Sequence, residues 1–290
     1  MEAVEPMAVW QNGKRNIIGV VLFFVLFCSG FAVNGNVGLY LNLSGFIIVI
    51  GGTFTAVLLA YRLDRITILV KVIAASYARS RISADTIVKL LVDLAIKRRI
   101  RGILSLEKDE EEATIFFLRQ AIGLMVDNNT PEEIREALNT EMFFFKKRRE
   151  DTIRILHTMA DVAPSFGLVG SVVGLITMLA GIGDSATLIA TVPIALTSTL
   201  YGIVLANMFC HPFAANIRDR TAEELFLQRI ITEGVVSIAA DIHPRVLDRK
   251  LKSFLTPSAR TKEVISLARI KEILESDRSK EPEDVVAGES

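Results

Sequence analysis

Long stretches without a charged side chain limit this chain more than any other feature of its sequence. Two of them lie between Asp161 and Pro212, and a short turn carrying Asp184 separates them. Each has about 20 residues, which is enough for an α-helix to cross the hydrocarbon core of a bilayer. Because a spanning segment must satisfy its backbone polar groups internally, the pair is predicted to be a helical hairpin in a membrane.

Two more apolar runs precede this hairpin, at residues 17–33 and at about 44–61. The first has an alternative interpretation as a cleaved signal peptide, because Gly30-Phe31-Ala32 resembles a cleavage site. Its length favours a retained span. The second carries Gly51-Gly52-Thr53 and is also predicted to cross the membrane.

Charged residues are segregated from these runs. The chain has 51% hydrophobic and 23% charged residues, with a mean hydropathy of +0.41. Lys and Arg concentrate in the N-terminal lead, the long middle region and the C-terminal region, whereas the linkers 34–42 and 183–188 have none. Cationic loops stay on the cytoplasmic side, so both termini and the middle region are predicted to be cytoplasmic. The net charge of zero gives no indication of a nucleic-acid partner.

The middle region has a helical pattern. Ile87, Leu90, Leu91, Leu94 and Ala95 recur on one helical face. Residues 129–133, with the sequence NTPEE, predict a helix start with Thr130 as N-cap, proline at the first position and Glu133 completing a capping box. That helix is expected to run through residue 150 into the third span.

The predicted fold is therefore an all-α membrane protein with four transmembrane helices. A helical cytoplasmic domain lies between helices 2 and 3 and continues after helix 4. The predicted segments are the lead 1–16, helices 1 and 2 at 17–61, the domain 62–154, helices 3 and 4 at 155–212, a helical segment 213–255 and a polar tail 256–290. Within the tail, residues 265–274 are expected to form a short helix and the last dozen residues to be disordered.

Small residues recur at spacings of three and four on both helices of the hairpin, which places each set on one face. They are Ala163, Gly167, Gly170, Ser171 and Gly174 on the first helix, and Ala195, Ser198, Thr199, Gly202 and Ala206 on the second. Such faces allow close helix packing in membranes. A hydroxyl in lipid is costly unless it has a partner or lines a wet path. We therefore interpret the hairpin as one wall of an ion pathway, with helix packing as the alternative.

Enzyme chemistry has little support in the sequence, and neither a cofactor nor a metal site is expected. No phosphate-binding loop, dinucleotide fingerprint or zinc-protease motif occurs. His157, His211 and His243 are far apart in sequence and are interpreted as surface or interfacial residues. None of the four spans has a central Asp or Glu, and Asp161 lies at the cytoplasmic entry of the third. A proton relay needs such a group, so a second polypeptide is expected to supply it.

Several segments resemble the MotA/PomA flagellar stator subunits of the MotA/TolQ/ExbB proton channel family. Residues 163–175 (APSFGLVGSVVGL) resemble the third transmembrane helix of that family, and residues 197–202 (TSTLYG) resemble the fourth. Residues 47–53 are similar to its second helix, and residues 233–238 to its C-terminal cytoplasmic segment. The ExbB/TolQ energisers share the hairpin but usually have three spans, so two N-terminal spans favour the MotA branch.

The resemblance implies a complex in the bacterial inner membrane, in which a homo-pentamer of this chain surrounds two MotB-type subunits. The partner would carry the ion-binding Asp. Flux of protons or sodium ions would turn the pentamer, and the cytoplasmic domain would push the rotor protein FliG. The open alternatives are an ExbB/TolQ-like energiser of another envelope machine and a membrane scaffold that conducts no ions.

Residues of the hairpin carry over individually from the resemblance. Pro164 and Pro212 match two prolines tied to coupling, although a passive kink, and for Pro212 a helix end, are alternatives. Thr199 matches a pathway threonine, and Ser171 stands where sodium-type members usually have Thr. Ser198 is equally open to a pathway role and to packing. Gly167, Gly170, Gly174 and Gly202 are expected to pack helices.

The rotor-facing segment of the family is similar to residues 97–107 (KRRIRGILSLE). Arg99 and Glu107 fall on its two key charges. Opposite charges on a surface favour orientation and fast, salt-sensitive contact. The alternative is a solvated helix face. Lys146 to Arg149, just before the third span, are interpreted as a topology anchor.

Overall fold

The structure is a computed structural model, and it describes residues 40–78, 82–112, 115–180 and 185–255, together with residues 25, 29 and 33. The first predicted span, most of the linker 34–42, the turn residues 181–184 and the tail 256–290 lie outside the described residues, except for the single positions just given. The α-helices are α1 (Leu43–Ala60), α2 (Leu63–Ala78), α3 (Ala84–Arg101), α4 (Glu107–Glu112), α5 (Phe116–Val126), α6 (Pro131–Ala180), α7 (Ser185–Val204), α8 (His211–Ala239) and α9 (Pro244–Lys252). A 3₁₀ turn, Ile103–Leu106, and a π-turn, Leu205–Cys210, complete them.

The described chain divides into two compact units. The first unit takes its residues from Met1–Arg81 and Lys146–Ala222, and the second from Ile82–Phe145 and Glu223–Ser290. Three helical stretches of the described part are long and apolar enough to cross a membrane: Leu43–Ala60, a part of Pro131–Ala180 and a part of Thr191–Ala239. They coincide with the second, third and fourth predicted spans.

A narrow buried stripe fixes α1 in the first unit. Gly45, Val49, Thr53 and Val57 recur every four residues and are the buried residues of this helix. Most of its remaining surface is apolar and exposed. A helix that is apolar all round but buried by its own chain on only one face is typical of a membrane protein whose other faces contact lipid or partner chains.

Polar contacts join α6 to the residue that follows α1 and to the first turn of α2. The hydroxyls of Tyr61 and Thr158 are 2.8 Å apart. Arg65 donates a hydrogen bond of 2.8 Å to the carboxylate of Asp151. These contacts lie where α1 ends and the charged sequence begins, so polar side chains appear at the expected edge of the apolar region.

The start of α6 confirms the predicted capping box. The backbone N–H of Thr130 donates to the Glu133 carboxylate at 2.8 Å, and the N–H of Glu133 donates to the Thr130 hydroxyl at 3.3 Å. The hydrogen bonds from the Thr130 backbone and hydroxyl lower the pKa of Glu133. The helix then continues without a break to Ala180, as predicted.

The fourth predicted span does not end in a helix end at Pro212, so that alternative for the proline is wrong. The π-turn Leu205–Cys210 leads directly into α8, which contains Pro212 and continues to Ala239. The N–H of His211 donates to the carbonyl of Ala206, one residue further back than in an α-helix. A wider turn ahead of a proline gives its ring room beside the preceding carbonyl groups, which explains why the helix continues.

The second unit has a conventional apolar core. Ile87, Leu91, Leu94 and Ala95 of α3 are buried, as their spacing predicts. Leu90, which shares that helical face, is 40% exposed. The core also includes buried residues of α5, of the first turns of α6, and of α8 and α9. Leu90 lies at the edge of the α3 stripe, and spacing alone does not show how wide a stripe the neighbouring helices cover.

Candidate functional site: a hydroxyl-lined hairpin and a charged surface

Close contact between α6 and α7 organises the hairpin. A Cβ atom added to Gly174 would lie 2.7 Å from the backbone nitrogen of Ala195, and one added to Gly202 would lie 2.5 Å from the carbonyl oxygen of Ala163. At Gly167 it would lie 3.0 Å from the Ser198 carbonyl oxygen. The structure therefore brings the two small-residue faces against each other, with no room for larger side chains.

Ser171 and Thr199 meet across this contact. Their hydroxyl oxygens are 2.6 Å apart. The Ser171 hydroxyl also donates to the carbonyl oxygen of Ala195, and that of Thr199 lies 3.5 Å from the carbonyl oxygen of Gly167. Both residues are partly exposed. The pair offers two adjacent oxygen ligands where the two helices of the hairpin meet.

Ser198 has a different environment, although it neighbours Thr199 in sequence. It is completely buried. A Cβ atom on Gly45 would lie 2.5 Å from its hydroxyl oxygen, and one on Gly170 would lie 2.6 Å from its Cβ atom. Ser198 thus fills the space where α1, α6 and α7 come together, which favours packing for this residue.

The two prolines lie inside continuous helix. Pro164 is within α6, and its Cα atom would lie 3.0 Å from a Cβ atom added to Gly202. Pro212 occupies the second position of α8, directly after the π-turn. A proline removes one N–H from the helix ladder, so the chain is locally easier to bend at both places.

Three features of the first unit are not among the predictions from the sequence. Pro193 is a further proline inside α7, and its carbonyl oxygen accepts a hydrogen bond of 2.7 Å from Thr197. Tyr201 joins α7 to the start of α1, because its hydroxyl donates to the Tyr40 carbonyl oxygen and accepts from the Asn42 N–H at 2.7 Å. His157 and His211 face each other, and only the pairing of α6 with α8 brings them together.

Arg99 and Glu107 lie on the surface of the second unit. Both are exposed, and neither side chain makes a hydrogen bond or an ion pair with a described residue. Their neighbours are held to the unit: Lys97 pairs with Asp109 at 2.9 Å, and Arg98 donates to the Ala239 carbonyl oxygen at 3.3 Å. Gly102, with φ of +81°, ends α3 and lets the chain turn between the two charges.

Comparison with known proteins identifies the family. The model of the MotA/TolQ/ExbB proton channel family matches residues 107–229. Motility protein A of Borreliella burgdorferi is 31% identical over 84% of this chain and 93% of its own length. This chain belongs to the MotA/TolQ/ExbB proton channel family.

Two further relatives place the chain in the MotA branch of the MotA/TolQ/ExbB family. Chemotaxis protein PomA of Vibrio alginolyticus is 27% identical over 86% of this chain and 97% of its own length. The structure of the flagellar MotAB stator complex from Bacillus subtilis matches with a TM-score of 0.77 and 26% identity, covering 83% of this chain and 96% of that one. The resemblance to flagellar stator subunits and the all-α membrane fold are thereby confirmed. The family is one of channel and stator subunits and is not a class of enzymes.

Proposed function

We propose that this chain couples the flux of protons or sodium ions to torque in a flagellar motor. The hydroxyl pair of Ser171 and Thr199 is the observation that carries this proposal. It is partly exposed and lies on a hairpin whose spans have no central carboxylate. Oxygen ligands suit a small hard cation, and a hydroxyl can equally serve in a chain of waters that carries protons.

In this proposal, the carboxylate that the spans lack comes from a second protein. A MotB-type subunit, the partner in the MotAB stator complex that this chain resembles, would bring the ion-binding Asp beside the hairpin. In our proposal five copies of this chain surround that partner in the bacterial inner membrane, with both termini in the cytoplasm. The exposed apolar surface of α1 and of the hairpin is the surface that lipid and these neighbours would cover.

Two sets of residues would convert ion binding into motion. Pro164 and Pro212 are the coupling prolines of the proposal, because they allow the helices on either side of the ion path to bend. Arg99 and Glu107 would contact the rotor protein FliG. Their freedom from partners in the described part of the chain supports this role, since charges already used inside the unit are less available to another protein.

Thr199→Val tests the proposal in a strain whose only stator contains this chain. Valine keeps the shape of threonine and removes the hydroxyl, so we expect slower rotation with unchanged membrane assembly. Thr177→Val is the matched control, because Thr177 is an exposed residue of α6 whose hydroxyl bonds to the Val173 carbonyl oxygen. Rotation speed against external sodium at fixed pH distinguishes sodium from proton coupling. Normal rotation of Thr199→Val at native expression contradicts the proposal.

Deletion of the gene for this chain distinguishes a flagellar stator from a component of another envelope machine. The family name also covers TolQ and ExbB proteins. Loss of swimming on deletion, restored by the wild-type gene, is expected for a flagellar stator. A deletion strain that swims normally but has a defective envelope supports the ExbB/TolQ-like alternative.

A further inference from the structure

Two histidines that are distant in sequence are neighbours in the first unit. His157 lies on α6 and His211 begins α8, and their imidazole ring centres are 5.8 Å apart with 54° between the ring planes. His157 is partly buried and His211 is exposed, so the pair lies at the surface of the first unit. Neither imidazole makes a hydrogen bond or an ion pair with a described residue. Their nitrogen atoms are therefore available to a ligand.

The separation of the rings fits a shared metal ion. An imidazole nitrogen binds zinc at roughly 2.0–2.1 Å, so each ring centre lies about 3.2 Å from the ion, and two rings on one tetrahedral ion have centres about 5 Å apart. The observed 5.8 Å is within about 1 Å of that value, which small side-chain rotations accommodate. Parallel stacking of the rings does not explain the pair, because the planes are inclined by 54°.

We propose that His157 and His211 bind one divalent transition-metal ion of the zinc, copper or nickel class. Imidazole ligands select these ions over magnesium and calcium, which prefer oxygen. No group of three metal-ligating side chains occurs among the described residues, so water molecules complete the coordination. The site does not depend on the proposed motor function.

The surroundings of the pair are consistent with a cation site at the surface. Asp161 is one turn after His157 on α6 and is exposed, so its charge attracts a cation, whereas the exposed Arg154 lies almost one turn before it. Cys210 precedes His211 but is buried against Ala160 and does not belong to the site. His211 directly follows the π-turn. A bound ion therefore joins α6 to the point where the helix returns from π to α geometry.

Zinc titration of the purified full-length chain in its membrane complex tests this site. We expect His157→Gln and His211→Gln each to weaken zinc binding by at least about tenfold, because one imidazole alone remains. His243→Gln is the matched control, since the chain has three histidines and the third lies in the second unit. Unchanged affinity in either of the first two variants, or an equal loss in the control, overturns the proposal.

A second variant keeps the test decisive if the glutamine variants do not assemble. His157→Cys retains a metal-ligating atom, and cobalt(II) bound by a thiolate gives a near-ultraviolet charge-transfer band that imidazole ligands do not give. We expect this band in His157→Cys and not in the wild-type protein, whose spectrum measures any contribution from its own Cys28 and from the buried Cys210. Absence of the band in an assembled His157→Cys complex also overturns the proposal.

Discussion

At the scale of the residue, two glycines of the first unit differ in what surrounds them. A Cβ atom on Gly170 would lie 2.6 Å from the Cβ atom of Ser198, whereas one on Gly51 would meet no atom within 4 Å. Both are helical, so alanine gains about 1 kcal/mol of helix propensity at either position. The difference between the two substitutions therefore measures packing alone.

We expect Gly170→Ala to destabilise the hairpin, because overpacking costs about 1–3 kcal/mol and exceeds the gain in propensity. The melting temperature of the detergent-solubilised protein is the measurement, with Gly51→Ala as the control that should be neutral or slightly stabilising. Equal melting temperatures for the two variants contradict the close packing of α6 and α7.

Glu233 is the centre of an ionic cluster in the second unit. Arg135 donates to its carboxylate at 2.6 Å and Lys250 at 3.0 Å. Burial acts to raise the pKa of Glu233, but the hydrogen bonds and charges of Arg135 and Lys250 outweigh it and lower the pKa. Since its pKa is lower when folded than when unfolded, Glu233 stabilises the unit above the unfolded pKa, and this contribution is lost as the pH falls through the folded value.

Glu233→Gln is therefore expected to lower stability near neutral pH, with a deficit that shrinks on acidification below the ordinary range of a glutamate. Melting curves of the variant and the wild type measure the deficit from about pH 3 to about pH 7. This range includes the pH values at which a glutamate ordinarily titrates. A deficit that does not change with pH would show that shape, and not charge, is what Glu233 contributes.

The residues of the candidate site differ in whether their contacts can be predicted from the sequence. The Ser171 and Thr199 hydroxyls do lie together, because small residues at helical spacing identify the faces that meet. The burial of Ser198 was beyond prediction, since it depends on where α1 crosses the hairpin. The His157–His211 pair was missed for the same reason: only a long-range helix pairing makes them neighbours. The signal available in the sequence was their position near the ends of two predicted adjacent spans.

At the scale of the element, local chemistry made the start of α6 predictable. Thr130 and Glu133 are three residues apart and satisfy each other's backbone N–H groups, so no distant contact is needed. The π-turn ahead of His211 was not predictable, because it reflects a compromise between Pro212 and the packing of the helix on both sides. The exposure of Leu90 likewise depends on neighbours that its own helix does not specify.

Thr130→Ala should fray the first turn of α6. Loss of an N-cap costs about 0.5–2 kcal/mol, so the amide hydrogens of the first turn are expected to exchange about 2- to 30-fold faster. Hydrogen-exchange mass spectrometry of peptides covering residues 130–138 gives the rate. Thr140→Ala, at an exposed position within the same helix, is the control. Unchanged exchange in Thr130→Ala would mean that tertiary packing alone holds this helix start.

At the scale of the whole molecule, the second unit has charged side chains that bond within the unit and neighbouring charged side chains that are exposed at its surface. Lys97 and Arg98 contact other parts of the unit, and Arg99 and Glu107 extend into solvent without a partner among the described residues. Because the exposed Arg99 side chain makes no ion pair or hydrogen bond with a described residue, a change at Arg99 costs the fold little.

Arg99→Asp is accordingly expected to reduce torque while the protein still reaches the membrane in normal amounts. Rotation of tethered cells measures the torque, and immunoblotting of the membrane fraction measures assembly. Arg245→Asp reverses an exposed arginine elsewhere in the second unit and should leave torque unchanged. A fall in membrane level with Arg99→Asp would show that Arg99 is structural.

Because bonded and exposed charges lie at neighbouring positions, this chain could be adapted to the rotor of a different motor. Where anchoring and recognition use the same side chain, a new partner can be accommodated only at the expense of folding. If Arg99 and Glu107 contact the rotor as proposed, adjacent positions carry the two tasks, and inverting the signs at 99 and 107 alone offers a route to an orthogonal pairing with a rotor of inverted polarity.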